Sequence, residues 1–162
     1  MKQLDPKAVW LFFLTSLQRW LLVIIILTIA YAKVGFFTLE TLGFPSWLIL
    51  IILAKIVFDF FWAHLSYRFY KYELTELGFR KELGVIYKQY VTIPYDRIQN
   101  VDIYRGILAR ILGLSDLNIQ TAGSSAGMIG GEGRLPGLSK EMAEQLRDEL
   151  LQRAKGARSQ GL

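Results

Sequence analysis

The chain has 162 residues, no cysteine, one histidine, a formal net charge of +5 and 52% hydrophobic residues, with a mean hydropathy of +0.30. These figures fit one ordinary domain, or a small domain with a short addition, and they exclude a disordered chain, a collagen and a disulfide-linked scaffold. The absence of cysteine excludes thiol catalysis, thiolate metal sites and iron–sulfur clusters. The basic excess suits either nucleic acid or anionic lipid and does not choose between them.

Charged residues are unevenly distributed along the chain. Residues 1–67 contain five basic and three acidic side chains, whereas residues 68–162 contain fourteen basic and eleven acidic ones. Because the charge density rises abruptly at residue 68, we predict an apolar N-terminal segment over residues 1–67, a domain over residues 68–155 and a flexible tail over residues 156–162.

Two apolar runs in the N-terminal segment, at about 19–39 and 46–66, are long enough to cross a bilayer. A hydrocarbon core of about 30 Å requires about 20 helical residues. A short connection without Lys or Arg joins the runs, so they predict a helical membrane hairpin. One alternative is a hairpin buried in a soluble core, but residues 68–162 are too few to cover two such helices. The other is a signal peptide cleaved near Ala30–Ala32, which the nineteen residues before the first run and the second run after it disfavour. Residues 8–17 either extend the first helix or lie in the interface.

Lys and Arg flank the hairpin on one side only. Lys2, Lys7 and Arg19 precede the first run, and Arg68 and Lys71 follow the second. Because cytoplasmic flanks carry the excess of Lys and Arg, we predict that both termini lie on the cytoplasmic side of the cell membrane.

The second apolar run contains two charged residues, Lys55 and Asp59. Each charge costs about 2.5–3.5 kcal/mol at the centre of a span, and the i,i+4 spacing allows the two to pair. In an antiparallel hairpin we expect Thr28 at the depth of Lys55, as a third partner. We favour a polar cluster that fixes the hairpin or an oligomer; the alternative is an ion or proton relay in an accessory subunit of a transport or export system.

Short alternating runs separated by turns replace the apolar pattern after Arg68 and predict β-strands. The candidate strands are Tyr70–Thr75, Phe79–Leu83, Tyr87–Ile93, Gln99–Tyr104 and Leu117–Thr121, with Arg134–Pro136 as a sixth. We further predict a short helix over Gly106–Gly113, a loop or wide turn over Gly123–Gly133, and a last helix from about Lys140 to Ala154 with Ser139 as its N-cap.

Six short motifs occur in order within this part of the chain. They are Tyr72-x-Leu74-Thr75-x-x-Gly78-Phe79, Gly84-Val85, Ile93-Pro94-Tyr95-x-Arg97-Ile98-Gln99-Asn100-Val101, Gly106-x-Leu108-x-Arg110-Ile111-Leu112-Gly113-Leu114, Ile119-x-Thr121-Ala122-Gly123 and Leu135-Pro136-Gly137-Leu138-Ser139. Over residues 68–155 the set resembles the bacterial pleckstrin-homology (PH) domain family of small membrane proteins, whose layout also places two spans before the domain.

The resemblance implies a membrane α-helical hairpin followed by an α+β or all-β soluble domain. That domain is expected to be a PH-like split β-barrel of about seven strands, capped by the C-terminal helix. Because the alternating pattern accounts for only five or six strands, we expect the missing strand in the glycine-rich loop.

No catalytic constellation is present in the sequence. There is no Ser-His-Asp set, no phosphate-binding loop and no metal-ligand spacing, so we predict a protein that is not an enzyme and holds no cofactor or metal. We predict a binding or scaffold module that assembles with itself as a homo-oligomer or with a partner membrane protein. The alternative is recognition of anionic lipid by a basic surface; nucleic acid is disfavoured. The residues predicted for that surface are Arg68, Lys71, Arg97, Arg105 and Arg110.

Overall fold

The computed structural model describes residues 1–33, 46–121 and 133–160. Its elements in chain order are β1 (Lys2–Gln3), α1 (Ala8–Lys33), α2 (Ser46–Phe69), β2 (Lys71–Leu74), β3 (Gly78–Leu83), β4 (Gln89–Pro94), a short 3-10 helix (Tyr95–Arg97), β5 (Ile98–Tyr104), α3 (Ile107–Ile111), β6 (Leu114–Thr121), β7 (Arg134–Ser139) and α4 (Lys140–Gln160). Two long helices thus form a hairpin ahead of a β domain that ends in one helix.

The strands form two antiparallel sheets, one in the order β1-β2-β3-β4 and the other in the order β5-β6-β7. α4 packs against the second sheet and against the 3-10 helix that connects the two sheets. Two antiparallel sheets with a C-terminal helix fit the predicted PH-like fold. The prediction of a barrel needs correction, because no strand pair in the described part of the chain joins the sheets and closes them.

The strand that the alternating pattern missed is β1, at the other end of the chain from the predicted place. Lys2 and Gln3 pair with Tyr72 and Lys71 of β2. A strand of two exposed residues is too short to show an alternating pattern in the sequence, so it is recognised only by its pairing with β2. The glycine-rich stretch over 122–132, where the missing strand was expected, lies outside the described residues.

The N-terminal segment contributes side chains to the core of the β domain. Leu4 and Ala8 are buried in the same cluster as Phe79 and Leu138, and the Tyr67 hydroxyl donates a hydrogen bond to the Leu4 carbonyl at 3.4 Å. Cleavage of a signal peptide near residue 32 would remove these groups, which argues against that alternative. The other fully buried side chains of the domain include Ile98, Leu114, Leu117, Leu135 and Leu150.

The hairpin helices are long and apolar enough to cross a membrane. The most apolar stretches are Ala8–Ile26 and Leu50–Phe69, with mean hydropathies of 2.0 and 1.5, and only 11% of each is buried. The described residues thus leave most of both stretches outside the chain's own core. α1 is continuous from Ala8, so residues 8–17 belong to the first helix, and its first turns dock on the β domain.

The C-terminal helix is longer than predicted. Its expected start is confirmed, because the Ser139 hydroxyl accepts a hydrogen bond from the Met142 backbone N–H at 3.2 Å. α4 continues to Gln160, past its predicted end at Ala154, so residues 156–160 are helical. Ala157 packs against the core, and the Arg158 guanidinium donates to the Ile98 carbonyl, so contacts with the second sheet extend the helix beyond its predicted end.

Candidate functional site

The hairpin is joined to the β domain through a close backbone contact at Gly137. This residue has a φ of +68°, and a Cβ atom built on it would lie 2.6 Å from the Cβ of Ala8. The Gly137 carbonyl also accepts a hydrogen bond from the Asp5 N–H at 3.2 Å. Only glycine combines this backbone conformation with this close approach, so α1 begins directly on the β7 backbone.

A polar network continues this junction beneath the hairpin. The Arg134 carbonyl accepts hydrogen bonds from the Tyr70 hydroxyl at 2.9 Å and from Lys81 Nζ at 2.8 Å. The Arg134 guanidinium pairs with Asp116 at 2.6 Å, and the other Asp116 oxygen accepts from the Gly137 N–H at 3.2 Å. The network connects the end of α2 with β3, β6 and β7, and so fixes the hairpin relative to both sheets.

Sequence reasoning missed this network, although one of its members carries a signal. Lys81 lies between Phe79 and Leu83 in a strand whose alternate residues face the same side, so a charged side chain is placed on the inward face. Lys81 is indeed buried. A lysine at an inward position indicates a buried polar partner, because an isolated buried charge is strongly unfavourable.

Tyr70 makes the junction sensitive to alkaline pH. Burial raises the pKa of Tyr70 well above its usual value, and the nearby Arg134 only partly offsets this effect. The unfolded chain releases the phenolic proton above about pH 10, whereas the folded chain retains it, so this contribution to stability is lost as the pH rises above 10.

We expect Tyr70→Phe to lower the free energy of unfolding at neutral pH by about 1 kcal/mol, through loss of one hydrogen bond. The same variant should lose less stability above pH 10 than the unchanged chain, because it has no buried phenol to ionise. Denaturant unfolding of the full chain in micelles between pH 7 and 11 measures both effects. Tyr90→Phe, at an exposed position, is the matched control for loss of a hydroxyl. Parallel alkaline curves for Tyr70→Phe and the unchanged chain would contradict the prediction.

Lys55 and Asp59 form the ion pair that their spacing predicts. The Asp59 side chain is 7% exposed and the Lys55 side chain is 34% exposed. Lys55 Nζ also lies 4.7 Å from the centroid of the Trp20 ring, at a distance typical of a cation–π interaction. The side chain of Thr28 lies outside the described residues, so its partnership with Lys55 stays a prediction; the described α1 neighbour of Lys55 is Trp20.

The hairpin helices run antiparallel, and contacts of aromatic rings show which residues of α1 and α2 lie at the same height. The Trp10 and Phe13 rings each lie 5.8 Å from the Phe60 ring, and Trp20 lies beside Lys55. Asp59 faces a cavity of about 350 Å³ between the helices and the β3–β4 loop. The cavity is lined by Thr15, Ser16, Arg19, Trp62, Ser66, Gly84 and Val85, among others. The charged pair therefore lies close to the level at which the β domain meets the hairpin.

The five cations predicted to form one surface are on different elements. Arg68 lies in the last turn of α2 and Lys71 begins β2, whereas Arg97 lies in the 3-10 helix. Arg110 lies on α3, and Arg105 precedes that helix and donates Nε–H to a β6 carbonyl at 3.1 Å. The structure thus brings Arg105 and Arg110 to α3 and places Arg68 and Lys71 at the α2–β2 junction.

The turn between β2 and β3 determines which backbone groups of β4 are paired. The Gly78 carbonyl accepts a hydrogen bond from the Thr75 N–H at 2.9 Å, so the backbone N–H and C=O groups of Gly78 point to the β2 side of β3. In an antiparallel strand these groups point to opposite sides at successive residues. The backbone groups of Phe79 therefore point to β4, where its partner is Ile93.

The same alternation leaves one edge of β4 open. Because Ile93 is bonded to β3, the backbone N–H and C=O groups of Tyr90 and Thr92 point to the outer edge of the sheet. Within the described ranges, no hydrogen bond reaches these groups. β4 (Gln89–Pro94) contains no charged residue, and Tyr90 and Thr92 are exposed. An unpaired edge without charged side chains is a template for another strand.

Comparison with known proteins matches the chain to the family model described as "Bacterial PH domain", over residues 10–154. The chain belongs to the bacterial PH domain family. The family resemblance predicted from the ordered motifs is therefore confirmed, and because the match begins at residue 10 it includes the helical hairpin as well as the β domain. No curated protein and no solved structure matches the chain.

Membership in the bacterial PH domain family suggests a binding or scaffold module, and PH domains are generally non-catalytic. In the described part of the chain, no three His, Asp or Glu side chains come together to hold a metal ion. Among the described residues, the exposed features are surfaces: the outer edge of β4, the hairpin and the elements that flank the hairpin.

Proposed function

We propose that this bacterial PH domain protein is a membrane-anchored binding module that assembles with protein at the cytoplasmic membrane face. The exposed apolar surface of both helices supports a membrane-spanning hairpin, since only 11% of each apolar stretch is buried by the chain itself. The Lys and Arg residues on its flanks support an orientation with both termini in the cytoplasm.

The observation that carries the assembly proposal is the outer edge of β4. Its free N–H and C=O groups, at Tyr90 and Thr92, allow an extended segment of another chain to add a strand to the first sheet. That segment belongs to a second copy of this chain or to a partner membrane protein. The absence of charged side chains on β4 removes the repulsion that commonly protects a sheet edge.

Two alternatives have less support. Recognition of a lipid headgroup by one basic surface requires cations that converge, and the predicted residues stand on several elements. A transport role for Lys55 and Asp59 requires a polar path across the hairpin, whereas Lys55 is engaged by Asp59 and the Trp20 ring.

Site-specific photocrosslinking of the full chain in cell membranes tests the assembly proposal. A photoreactive phenylalanine at position 90 or 92 should give an adduct; twice the chain mass identifies a second copy, and another mass identifies a partner protein. The same residue at position 77, an exposed site on the β2–β3 turn, provides the background level. Adducts at 90 and 92 no stronger than at 77 would contradict strand addition at this edge.

We expect Thr92→Pro to abolish the adduct formed from position 90. Proline removes the outward N–H of residue 92 and leaves the hydrogen bonds between β3 and β4 in place, as proline does on natural edge strands. Thr92→Val is the matched control, because it keeps the N–H and the shape of the side chain. The circular dichroism spectrum of the Thr92→Pro chain in micelles should match that of the unchanged chain; an adduct that persists in this folded variant would overturn the proposal.

A further inference from the structure

Two exposed apolar elements of the β domain lie beside the hairpin. The first is the β3–β4 loop, where Ile86 is 72% exposed and Tyr87 is 88% exposed. The second is α3, where Ile107 and Ile111 are 79% and 75% exposed and share one face at i,i+4 spacing. We call these four residues the flanking apolar residues; isolated exposed side chains need no explanation, but two pairs beside one hairpin form a pattern.

The position of both elements along α1 is set by the cavities that they share with it. Gly84 and Val85 of the β3–β4 loop line the same cavity as Arg19. Ile107 lines a groove of about 750 Å³ whose α1 wall extends from Leu11 to Leu22. At 1.5 Å per residue, the far ends of the two α1 walls, at Arg19 and Leu22, lie about 16 and 21 Å along α1 from Ala8, where the helix docks on the domain.

At this level α1 begins to expose a continuous apolar surface. Trp20, Leu21 and Leu22 are each about half exposed. The flanking apolar residues are thus continuous with the part of the hairpin that the proposed function places in the bilayer. The opposite face of α3 is fixed to the protein: Ala109 is buried against Leu11, so Ile107 and Ile111 are left facing outwards.

Exposed cations accompany these apolar side chains. Lys88 follows the β3–β4 loop, Arg105 and Arg110 belong to the α3 region, and Arg19 lies between the two elements on α1. Apolar side chains that enter the acyl boundary, with Lys or Arg at the level of the phosphates, are the arrangement of proteins bound to the membrane interface.

We infer that the β3–β4 loop and α3 insert Ile86, Tyr87, Ile107 and Ile111 into the interfacial layer of the bilayer that the hairpin crosses. This inference rests on the proposed membrane-spanning hairpin. Two insertion points flanking the hairpin hold the β domain against the membrane at a fixed orientation. The outer edge of β4, which starts just after the inserted loop, is then presented at a constant height to other proteins in the same bilayer.

The absence of cysteine makes the test direct. Single variants Ile86→Cys and Ile107→Cys of the full chain are spin-labelled and reconstituted into vesicles of phosphatidylcholine and phosphatidylglycerol. Electron paramagnetic resonance measures how often each spin label collides with oxygen, which concentrates in the bilayer, and with a water-soluble nickel chelate. We expect the ratio of oxygen to nickel collisions at both sites to be several-fold higher than at Leu77→Cys.

Leu77 is a matched control, because it is an aliphatic residue 85% exposed at the opposite end of β3 from the inserted loop, about 16 Å away at 3.3 Å per residue. It carries the same label, so the apolarity of the label alone cannot produce the expected difference. Leu50→Cys, 68% exposed on α2 and farther from the β domain than Lys55, reports on the hairpin itself.

The four sites separate the possible outcomes. Ratios at 86 and 107 equal to that at 77, with a high ratio at 50, would overturn the interfacial insertion and leave the membrane-spanning hairpin intact. A low ratio at 50 would overturn both.

Discussion

Lys55→Leu is expected to lower the free energy of unfolding by about 3 kcal/mol, because it leaves the Asp59 carboxylate buried without its ion-pair partner. Asp59→Leu is expected to be less harmful. Lys55 is one-third exposed, has a long flexible side chain and retains the Trp20 ring at 4.7 Å, so its charge can be accommodated without Asp59. The asymmetry follows from the different burial of the two partners.

The double variant, Lys55→Leu with Asp59→Leu, should recover the stability of the unchanged chain to within about 1 kcal/mol, because it removes both charges together. Unfolding of the full chain in micelles by denaturant gives the coupling free energy from the four proteins. Losses that simply add in the double variant would contradict the ion-pair account. A double variant that stays inserted and stable yet no longer forms the β4 adduct would show that the pair serves assembly rather than the hairpin alone.

Gly137→Ala is expected to lower the free energy of unfolding by about 3 kcal/mol, from two separate causes. The left-handed backbone at a φ of +68° disfavours any residue with a Cβ by about 1–2 kcal/mol. The added Cβ also meets the Ala8 Cβ at 2.6 Å, and such overpacking adds about 1–3 kcal/mol. Because this contact seats α1 on the domain, the hairpin should also loosen, which limited proteolysis near residue 7 would reveal.

Two further variants separate these causes. Gly106→Ala is the matched control, since Gly106 has a φ of −65° and an added Cβ would meet nothing within 4 Å. It should leave the free energy of unfolding unchanged. Gly137→Ala combined with Ala8→Gly removes the clash but not the backbone strain, so it should recover only part of the lost stability. Full recovery, or none, would contradict the division into two causes.

Local patterns in the sequence were sufficient for most of the elements. The apolar runs predicted the two helices, alternation predicted β2 to β6, and the hydroxyl of Ser139 predicted the start of α4. The i,i+4 spacing predicted the Lys55–Asp59 pair. In each case the determining interaction joins residues that are close in the chain, so the signal lies within one turn or one strand.

The sequence by itself determined that the chain joins an apolar helical hairpin to a PH-like β domain, because those properties depend on periodicity, charge flanks and ordered motifs. Only the tertiary structure decided that β1 completes the first sheet and that Lys81 and Tyr70 both donate hydrogen bonds to the Arg134 carbonyl. It also decided that α4 extends to Gln160, because its last turns contact the second sheet. It alone decided that the outer edge of β4 is unpaired within the described ranges, and that Ile86 and Ile107 stand beside the hairpin. These features are made by residues far apart in the chain, and their free energy arises only when distant segments pack together, so no local pattern records them.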